Sequence, residues 1–450
     1  MSNVSNGKLN VLETRSIGRL LWDYSIPAVV AMVVMQLYNV IDRIFIGRGV
    51  GSDAIAGLAI TFPVMNLSAA IGVLIGAGAS ARVSIMLGAR DYRGAELVLG
   101  NALVLTLANA IAYLSVFGIF IDEILLSFGA SETSLPYAKD FMLYILPGML
   151  VMNLTFSFNN IMRASGYPMK AMASMFIGAG SNLALAPLFI FIFDMGIKGA
   201  AIATDIAMTI SMIFVMSHFI SRKSVLRFTR GIYKLRKHII WGIVAIGAAP
   251  CFVNVAGSAI NGIINTSLYE YGGDTAVAAV GIFFTYTSLL TTIVVGICQG
   301  MQPIIGYNYG AGRLDRLSKA FWISVLASSA VTTIGWAAGI FCPEYIAMLF
   351  TDDNSLISVT ANGMSIAMLT FLFVGFQIVA TTLFQSIGKA GKSIFLSLIR
   401  QVIFLIPFLL IFPSFTGLNG VWSAFPVSDA CATIVTLVLV MWQLRRLNRP

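Results

Sequence analysis

Charged residues are scarce in this sequence. They make up 10% of its 450 residues, whereas hydrophobic residues make up 58%. A soluble domain carries about 25% charged residues, and a soluble chain of this length could not bury so much apolar surface. The scarcity of charge therefore excludes a soluble protein and predicts that lipid is part of the solvent around the chain.

Residues that could support catalysis or metal binding are also few. The four cysteines lie far apart in apolar stretches, and the two histidines form no cluster with them. This spacing excludes a CxxC metal motif and a disulfide framework. We find no nucleophile–base pair, ligand set or carboxylate cluster of the kind that a membrane-embedded enzyme requires. We therefore expect neither an enzyme nor a cofactor.

Long apolar runs fill most of the chain. A membrane-spanning helix needs about 20 mostly apolar residues, and twelve segments meet this requirement. The second and the eighth are too long for one straight crossing, so they must tilt or extend beyond the lipid. The segments are 20–46, 54–86, 95–120, 136–162, 171–193, 197–221, 238–268, 276–308, 316–340, 358–386, 393–413 and 418–444. The sequence predicts an all-α membrane protein of about twelve transmembrane helices.

Basic residues are distributed unevenly between the two sides of the membrane that alternate crossings define. With the N-terminus inside, 24 of the 28 basic residues lie on the inside, Arg400 among them, and the outside has only Arg43, Arg48, Lys139 and Lys198. Cytoplasmic loops carry such an excess of Lys and Arg. The pattern predicts cytoplasmic termini. It also attributes the net charge of +9 to membrane orientation rather than to nucleic-acid binding.

Four short sequence matches recur at an offset of 221 to 222 residues. They pair GSDAIAGLAI at Gly51 with GGDTAVAAVGI at Gly272, MLGAR at Met86 with NYGAG at Asn308, RASGYPMK at Arg163 with QSIGKAGK at Gln385, and GIKGA at Gly196 with GLNGV at Gly417. One register held across four places indicates a duplicated six-helix unit. We predict an N-terminal lobe (1–222), a basic cytoplasmic linker (223–237) and a C-terminal lobe (238–450). Since six crossings return the chain to the same side, the two six-helix bundles are related by a parallel internal repeat, which is typical of transporters.

At this point the chain resembles the MATE (multidrug and toxic compound extrusion) family over essentially its whole length, and most of all its MepA-type bacterial branch. The motifs that carry the resemblance are IPAVV at Ile26, LYNVIDRIFIG at Leu37, LGAR at Leu87, RASGYP at Arg163, GAAIAT at Gly199, QPIIGYNYGAG at Gln302 and GVWSAFPVSD at Gly420. The resemblance implies a monomer in the bacterial inner membrane that exports amphipathic, often cationic small molecules by alternating access. Its energy would come from inward movement of H⁺ or Na⁺.

Acidic residues inside a membrane are costly and are functional candidates by default. Within the predicted segments, we take Asp42, Asp205 and Asp429 as the three candidates. Gln36 and Asn39 share a helical face with Asp42, and Tyr38 precedes it by one turn; we take Gln36, Tyr38 and Asn39 as candidate substrate contacts. The resemblance implies that Asp42 binds the coupling ion, and the alternative is a helix cap near Arg43.

Two further polar residues match the ion site that the resemblance implies. They are Asn182 and Thr204, which with Asp42 could hold Na⁺; no other metal site is expected. The family commonly has an Asp four residues after the Asn, but this chain has Ala186 there. Asp205 follows Thr204 directly, so the carboxylate has either moved to the sixth helix or, since one residue turns a helix by about 100°, faces elsewhere.

Two residues outside this group complete the candidate substrate contacts. Asn159 matches a position that the resemblance associates with substrate, and Asp429 lies in the FPVSD pattern one turn after Pro426. For both, polar packing between helices is the alternative. A lipid-linked precursor flippase is the rival function. It needs a cationic central cavity, whereas the predicted membrane interior offers almost no Lys or Arg.

Overall fold

The computed structural model describes residues 11–49, 52–128, 130 and 134–447, without the side chains of 43–44, 47–49, 52–59, 62 and 258–259. Long helices dominate the described chain. They are α1 (Ile17–Gly49), α2 (Ser52–Gly88), α3 (Tyr92–Ile119), α4 (Leu135–Ala164), α5 (Pro168–Ile192), α6 (Gly196–Ile220), α7 (Lys237–Gly310), α8 (Leu314–Phe341), α9 (Asn354–Ala367), α10 (Val374–Ser386), α11 (Ala390–Thr416) and α12 (Leu418–Leu447). Helices α5 and α11 contain π-helical stretches, at Leu188–Ile192 and Ile399–Leu405.

Shorter helices connect some of these elements. Ile121–Ser127 follows α3, Pro343–Met348 follows α8, and the 3₁₀ turn Phe371–Phe373 joins α9 to α10. The end of α11 contains the short helices Ile406–Ile411 and Pro413–Thr416. Each connection places polar backbone at the ends of the long apolar helices.

The helices account for twelve membrane crossings in the described part of the chain. Ten are long and apolar enough to span, and α9 with α10 forms an eleventh, bent by 56°. Helix α7 has 74 residues, about 110 Å at 1.5 Å per residue, against a hydrocarbon core of about 30 Å. It breaks at Gly273, whose φ of 63° and ψ of −162° lie outside the helical region, so it crosses twice. The all-α, twelve-helix prediction is confirmed.

Six of the nine positive-φ residues in the described chain form pairs that follow the sequence repeat. Arg90 (φ 60°) corresponds to Gly312 (70°), Gly166 (99°) to Gly388 (75°), and Gly196 (56°) to Gly417 (59°). Each pair follows the offset of 221 or 222 residues. Since L-residues other than glycine rarely adopt this conformation, the turns between helices were duplicated with their backbone geometry.

The chain forms two compact units that do not coincide with the two sequence lobes. Unit 1 contains Val30–Cys251 with Gly306–Gly312 and the N-terminal segment up to Ser16, and unit 2 contains Ile17–Val29, Phe252–Ile305 and Arg313–Pro450. Each has its own apolar core, built around residues such as Phe141 in unit 1 and Trp422 in unit 2. The first part of α1 and the first part of α7 thus each pack in the unit formed mostly by the other lobe.

Glycines allow these exchanged helix ends to pack closely. In unit 1, Gly78 of α2 lies against the Ile243 carbonyl and Gly247 of α7 against the Leu74 carbonyl. In unit 2, the equivalent contact places Gly300 against Ser25 of α1. A side chain at any of these glycines would collide with backbone. Small residues that let helix backbones approach are the usual means of helix association in membranes.

Residues 223–237, which the sequence assigns to a linker, pack as part of unit 1. The Asn101 side-chain amide donates to the carbonyls of Ile232 (3.3 Å) and Lys234 (3.1 Å), and its oxygen accepts from the Arg236 backbone N–H (2.9 Å). Gly100 beside it leaves room for Ile232. Buried Asn101 therefore holds the end of this segment on α3.

We predict that Gly166→Ala lowers the free energy of unfolding by about 1 kcal/mol, because alanine is strained at φ 99°. Gly180→Ala is the control, since Gly180 lies in α5 with open space around its Cα and alanine is favoured in helices. Thermal unfolding in detergent, followed by size-exclusion chromatography, measures both. Equal losses in the two variants would contradict the assignment of strain to the turn.

Candidate functional site

A polar cluster lies among α1, α5 and α6 of unit 1. The Asn182 amide donates to the Thr204 hydroxyl at 2.9 Å, and that hydroxyl donates to the Ala200 carbonyl at 3.0 Å. Asn182 is buried. Helices α5 and α6 thus bring together the two neutral residues that the sequence predicts as ion ligands.

Helix α1 contributes Tyr38 and Asp42 to the same cluster. The buried Tyr38 side chain interacts with Thr204 and lies within range of the charge of Asp42. Asp42, one turn further along α1, is half-buried. The i, i+4 spacing places both side chains on one helical face. The cluster therefore combines one carboxylate with hydroxyl and amide groups.

Asp205 is directed to a different neighbour. Its carboxylate lies against the backbone of Gly148 in α4, and Oδ1 is buried without a hydrogen-bond partner in the described structure. Any larger residue at position 148 would collide with this carboxylate. Thr204 and Asp205 face α5 and α4 respectively, as the rotation of about 100° per residue requires. Transfer of the coupling charge to Asp205 stays a prediction.

Ala186, where the resemblance would place a carboxylate, lies in an apolar region. It is fully buried in the apolar core of unit 1, beside residues such as Ile190 and Ala203. Among the other residues of α1, Gln36 is half-buried and Asn39 is exposed. Of the three predicted substrate contacts on α1, Tyr38 is buried, whereas the amides of Gln36 and Asn39 are more accessible.

Asn159 joins α4 to α5 rather than facing open space. Its amide donates to the Ala171 carbonyl and to the Ser174 hydroxyl, both at 2.7 Å, and its oxygen accepts from buried Arg163 at 2.9 Å. All its polar atoms have partners in the protein. The geometry assigns Asn159 to helix packing, the alternative that the sequence left open, and its contact with substrate stays a prediction.

The assignment of Arg400 to a cytoplasmic loop is wrong. Arg400 lies in the π-helical stretch of α11, and its Nε donates to Asp429 Oδ1 at 2.6 Å. The Asp429 side chain is 5% exposed, and its backbone carbonyl accepts from Gln377 at 2.8 Å. The half-buried arginine thus neutralises the buried carboxylate between α11 and α12. Arg400 lies within the predicted segment 393–413, so its position already indicated an intramembrane charge.

Clusters suited to a multivalent metal do not occur in the described part of the chain. No three His, Cys, Asp or Glu side chains come together there. The oxygen atoms of Asp42, Asn182, Thr204 and Tyr38 are the set that could hold a monovalent cation or a proton.

Sequence comparison identifies the family. Residues 27–188 and 250–411 each match the MatE family. This chain belongs to the MatE family. The resemblance to MATE transporters is confirmed, and the two MatE matches begin 223 residues apart, in agreement with the internal repeat.

Curated relatives within the MatE family cover nearly the whole chain. "Multidrug export protein MepA" of Staphylococcus aureus is 27% identical over 442 residues, which is 96% of each chain. The protein of the same name from Staphylococcus haemolyticus is 26% identical over 438 residues, covering 96% of this chain and 95% of the relative.

Solved structures show the same fold. A multidrug resistance MATE family transporter in an outward-facing conformation has a TM-score of 0.91 and 24% identity, covering 98% of both chains. A MOP superfamily transporter from Pyrococcus furiosus, described as having a binding pocket of reverse polarity, gives the same values. At this identity the likeness establishes the MATE fold alone.

We predict that Arg400→Ala lowers the free energy of unfolding by about 3 kcal/mol, because it leaves the Asp429 charge buried without its partner. Lys198→Ala removes the exposed pair with Asp140 (3.1 Å) and should cost less than about 1 kcal/mol.

The double variant Arg400→Ala/Asp429→Asn should recover part of the loss, because the uncompensated charge is gone. Denaturation in mixed detergent micelles compares the variants. A double variant less stable than Arg400→Ala would contradict charge burial as the cause.

Proposed function

We propose that this protein is a secondary active exporter of amphipathic, often cationic organic compounds, coupled to inward movement of H⁺ or Na⁺ by alternating access. The observation that carries the proposal is its MatE membership, with full-length similarity to multidrug export proteins. The polar cluster around Asp42 supplies the site that coupling to a cation needs. Export is a property of the relatives that we extend to this chain.

The chemistry of coupling follows from the surroundings of Asp42. The Asp42 carboxylate lies close to the Tyr38 hydroxyl, which interacts with Thr204, and Thr204 in turn accepts from Asn182. Either a proton or a sodium ion among these oxygens would neutralise the carboxylate. A cationic substrate neutralises the same charge, so substrate and ion oppose each other's binding. This opposition is the linkage that antiport requires.

A transporter of this kind must present the site to each side in turn. The ion can shift that equilibrium only by binding one conformation more tightly than the other. In unit 1, an ion at Asp42 would join α1 to α5 and α6, because Tyr38 and Thr204 lie on the two sides of the contact. We propose that ion binding favours the conformation in which these helices are closely packed.

The membrane orientation belongs to the same proposal. We place both termini in the cytoplasm and the protein in the bacterial inner membrane. Two of the four basic residues assigned outside are paired with acids, Lys139 with Asp122 at 2.7 Å and Lys198 with Asp140 at 3.1 Å. These pairs increase the charge difference between the two sides, as the positive-inside rule expects.

The rival flippase function gains little support from the interior charges. Arg400 is a cation inside a span, but its guanidinium is engaged by Asp429. Binding a pyrophosphate would require this ion pair to break. Dye efflux from cells, compared with lipid flipping in liposomes, separates the two functions.

We predict that Asp42→Asn abolishes gradient-driven dye efflux while expression and membrane insertion remain normal, because the amide keeps the shape and loses the charge. Asp140→Asn is the control, an exposed carboxylate in the same unit, and it should transport normally. Proteoliposomes under separately imposed sodium and pH gradients would report the coupling ion. Wild-type efflux by Asp42→Asn would refute the assignment of coupling to this residue.

A second variant decides the role of Asp205. If Asp205 binds the ion, Asp205→Asn should abolish coupled efflux as Asp42→Asn does. If Asp205 only packs against Gly148, efflux should stay near normal. Because the geometry directs Asp205 away from Asn182, we expect the second result, measured in the same proteoliposomes.

A further inference from the structure

A group of basic residues surrounds an exposed tryptophan where α10 ends, α11 begins and α12 ends. Lys392 Nζ lies 3.8 Å from the centre of the Trp442 ring, and the Arg446 guanidinium lies 5.3 Å from it. Lys389 is close enough to Lys392 for their charges to repel. Lys392 and Arg446 therefore share one aromatic ring, and Lys389 lies close to Lys392. We call this group the basic cluster.

The basic cluster lacks an acidic counterpart. The sequence has no Asp or Glu between Asp353 and Asp429, and none after Asp429. Within the described residues, none of the three cations forms an ion pair. Like charges held together in this way raise the local affinity for an anion.

Lys392 is held in place before any ligand arrives. Its ammonium donates to the side-chain oxygen of Gln443 at 2.6 Å, and Gln443 is only 3% exposed. One ammonium has three donors, so two remain for another acceptor. The cation–π contact with Trp442 stabilises the same position. The geometry gives the cluster a fixed centre rather than three independent surface side chains.

An apolar strip leads along α12 to this cluster. Its residues recur at helical spacing and are all exposed on the protein: Ile434 (65%), Leu437 (47%), Val438 (63%), Met441 (41%) and Trp442 (48%). In a membrane such a strip faces acyl chains. The strip ends at Trp442, whose ring contacts Lys392 and Arg446. Tryptophan is enriched at membrane–water boundaries.

We propose that the basic cluster is a binding site for the phosphate of an anionic phospholipid, whose acyl chain lies along the exposed strip of α12. Charge and shape agree with this ligand, because a single molecule then covers both the cations and the apolar surface. Basic groups between transmembrane helices are a known means of binding anionic headgroups. The proposal does not depend on the transport function.

The internal repeat supplies a natural control. Lys170 is the counterpart of Lys392, but the positions equivalent to Lys389, Trp442 and Arg446 are Tyr167, Ser221 and Val225. Lys170 instead contacts His218 at 3.4 Å, and Ser224 also contacts that ring at 3.1 Å. The N-terminal lobe thus keeps the lysine but has neither a cation nor a tryptophan at these equivalent positions.

Native mass spectrometry of the delipidated, full-length protein tests the proposal with phosphatidylglycerol as the probe and phosphatidylcholine as the neutral reference. Wild type and Lys170→Gln should retain phosphatidylglycerol preferentially. Lys392→Gln/Arg446→Gln should lose at least about tenfold in affinity for phosphatidylglycerol and not for phosphatidylcholine. Lys392→Arg keeps the charge and should retain the preference.

Three results would overturn the proposal. They are an unchanged preference in Lys392→Gln/Arg446→Gln, an equal loss in Lys170→Gln, and competition by millimolar glycerol phosphate as effective as that by the lipid, which would indicate a soluble phosphate site. If the double variant does not fold, Lys389→Gln replaces it, since that side chain is exposed. It should lose severalfold in phosphatidylglycerol affinity, and no loss there also overturns the proposal.

Discussion

An ionised side chain among apolar helices is costly unless its surroundings compensate the charge. This constraint governs each acidic residue inside the spans. Asp429 is compensated by Arg400 at 2.6 Å, Asp205 lies against helix backbone that Gly148 leaves open, and Asp42 lies beside Tyr38. The three residues have the same carboxyl group in three different surroundings. In the proposed function their neighbours, rather than the acids themselves, determine which of them couples transport to an ion.

Close backbone contact at glycine is the second physical requirement, and it determines how the duplicated halves are assembled. Gly78 and Gly300 are repeat equivalents, and each accepts the first part of a helix from the other lobe, α7 and α1 respectively. Pro27 and Pro250 lie just before the points where α1 and α7 pass from one unit to the other. Proline removes a backbone donor and can bend a helix. Both helices therefore change units close to a residue at which they can bend.

Much of the fold could be predicted because lipid imposes strong rules on sequence. Runs of about 20 apolar residues gave the twelve crossings, and the repeated turn glycines gave the duplication. The pairing of Asn182 with Thr204 came from the family resemblance. Two features could not be read from the sequence. The repeat establishes which helices of the two lobes are equivalent. It does not show that the first part of α1 and the first part of α7 each pack in the unit formed mostly by the other lobe. Gly148 and Asp205 are 57 positions apart in the sequence and lie on different helices. Local periodicity contains no information about a contact between them. Arg400 was misassigned because the charge rule counts residues by side and ignores their depth.

The two lobes have the same order of helices, but the acidic residues inside their spans have different neighbours. In unit 2 the buried carboxylate of Asp429 is paired with the Arg400 guanidinium at 2.6 Å. Its neutralisation is independent of ion gradients, so the pair can fix α11 to α12 but does not need a mobile ion. In unit 1, Asp42 lies beside the Tyr38 hydroxyl, which interacts with Thr204. In the proposed function a mobile cation neutralises this carboxylate, and the concentration of that cation on each side of the membrane affects the conformation. The proposed function therefore assigns ion coupling to Asp42 in unit 1, because Asp429 in unit 2 is already paired with Arg400.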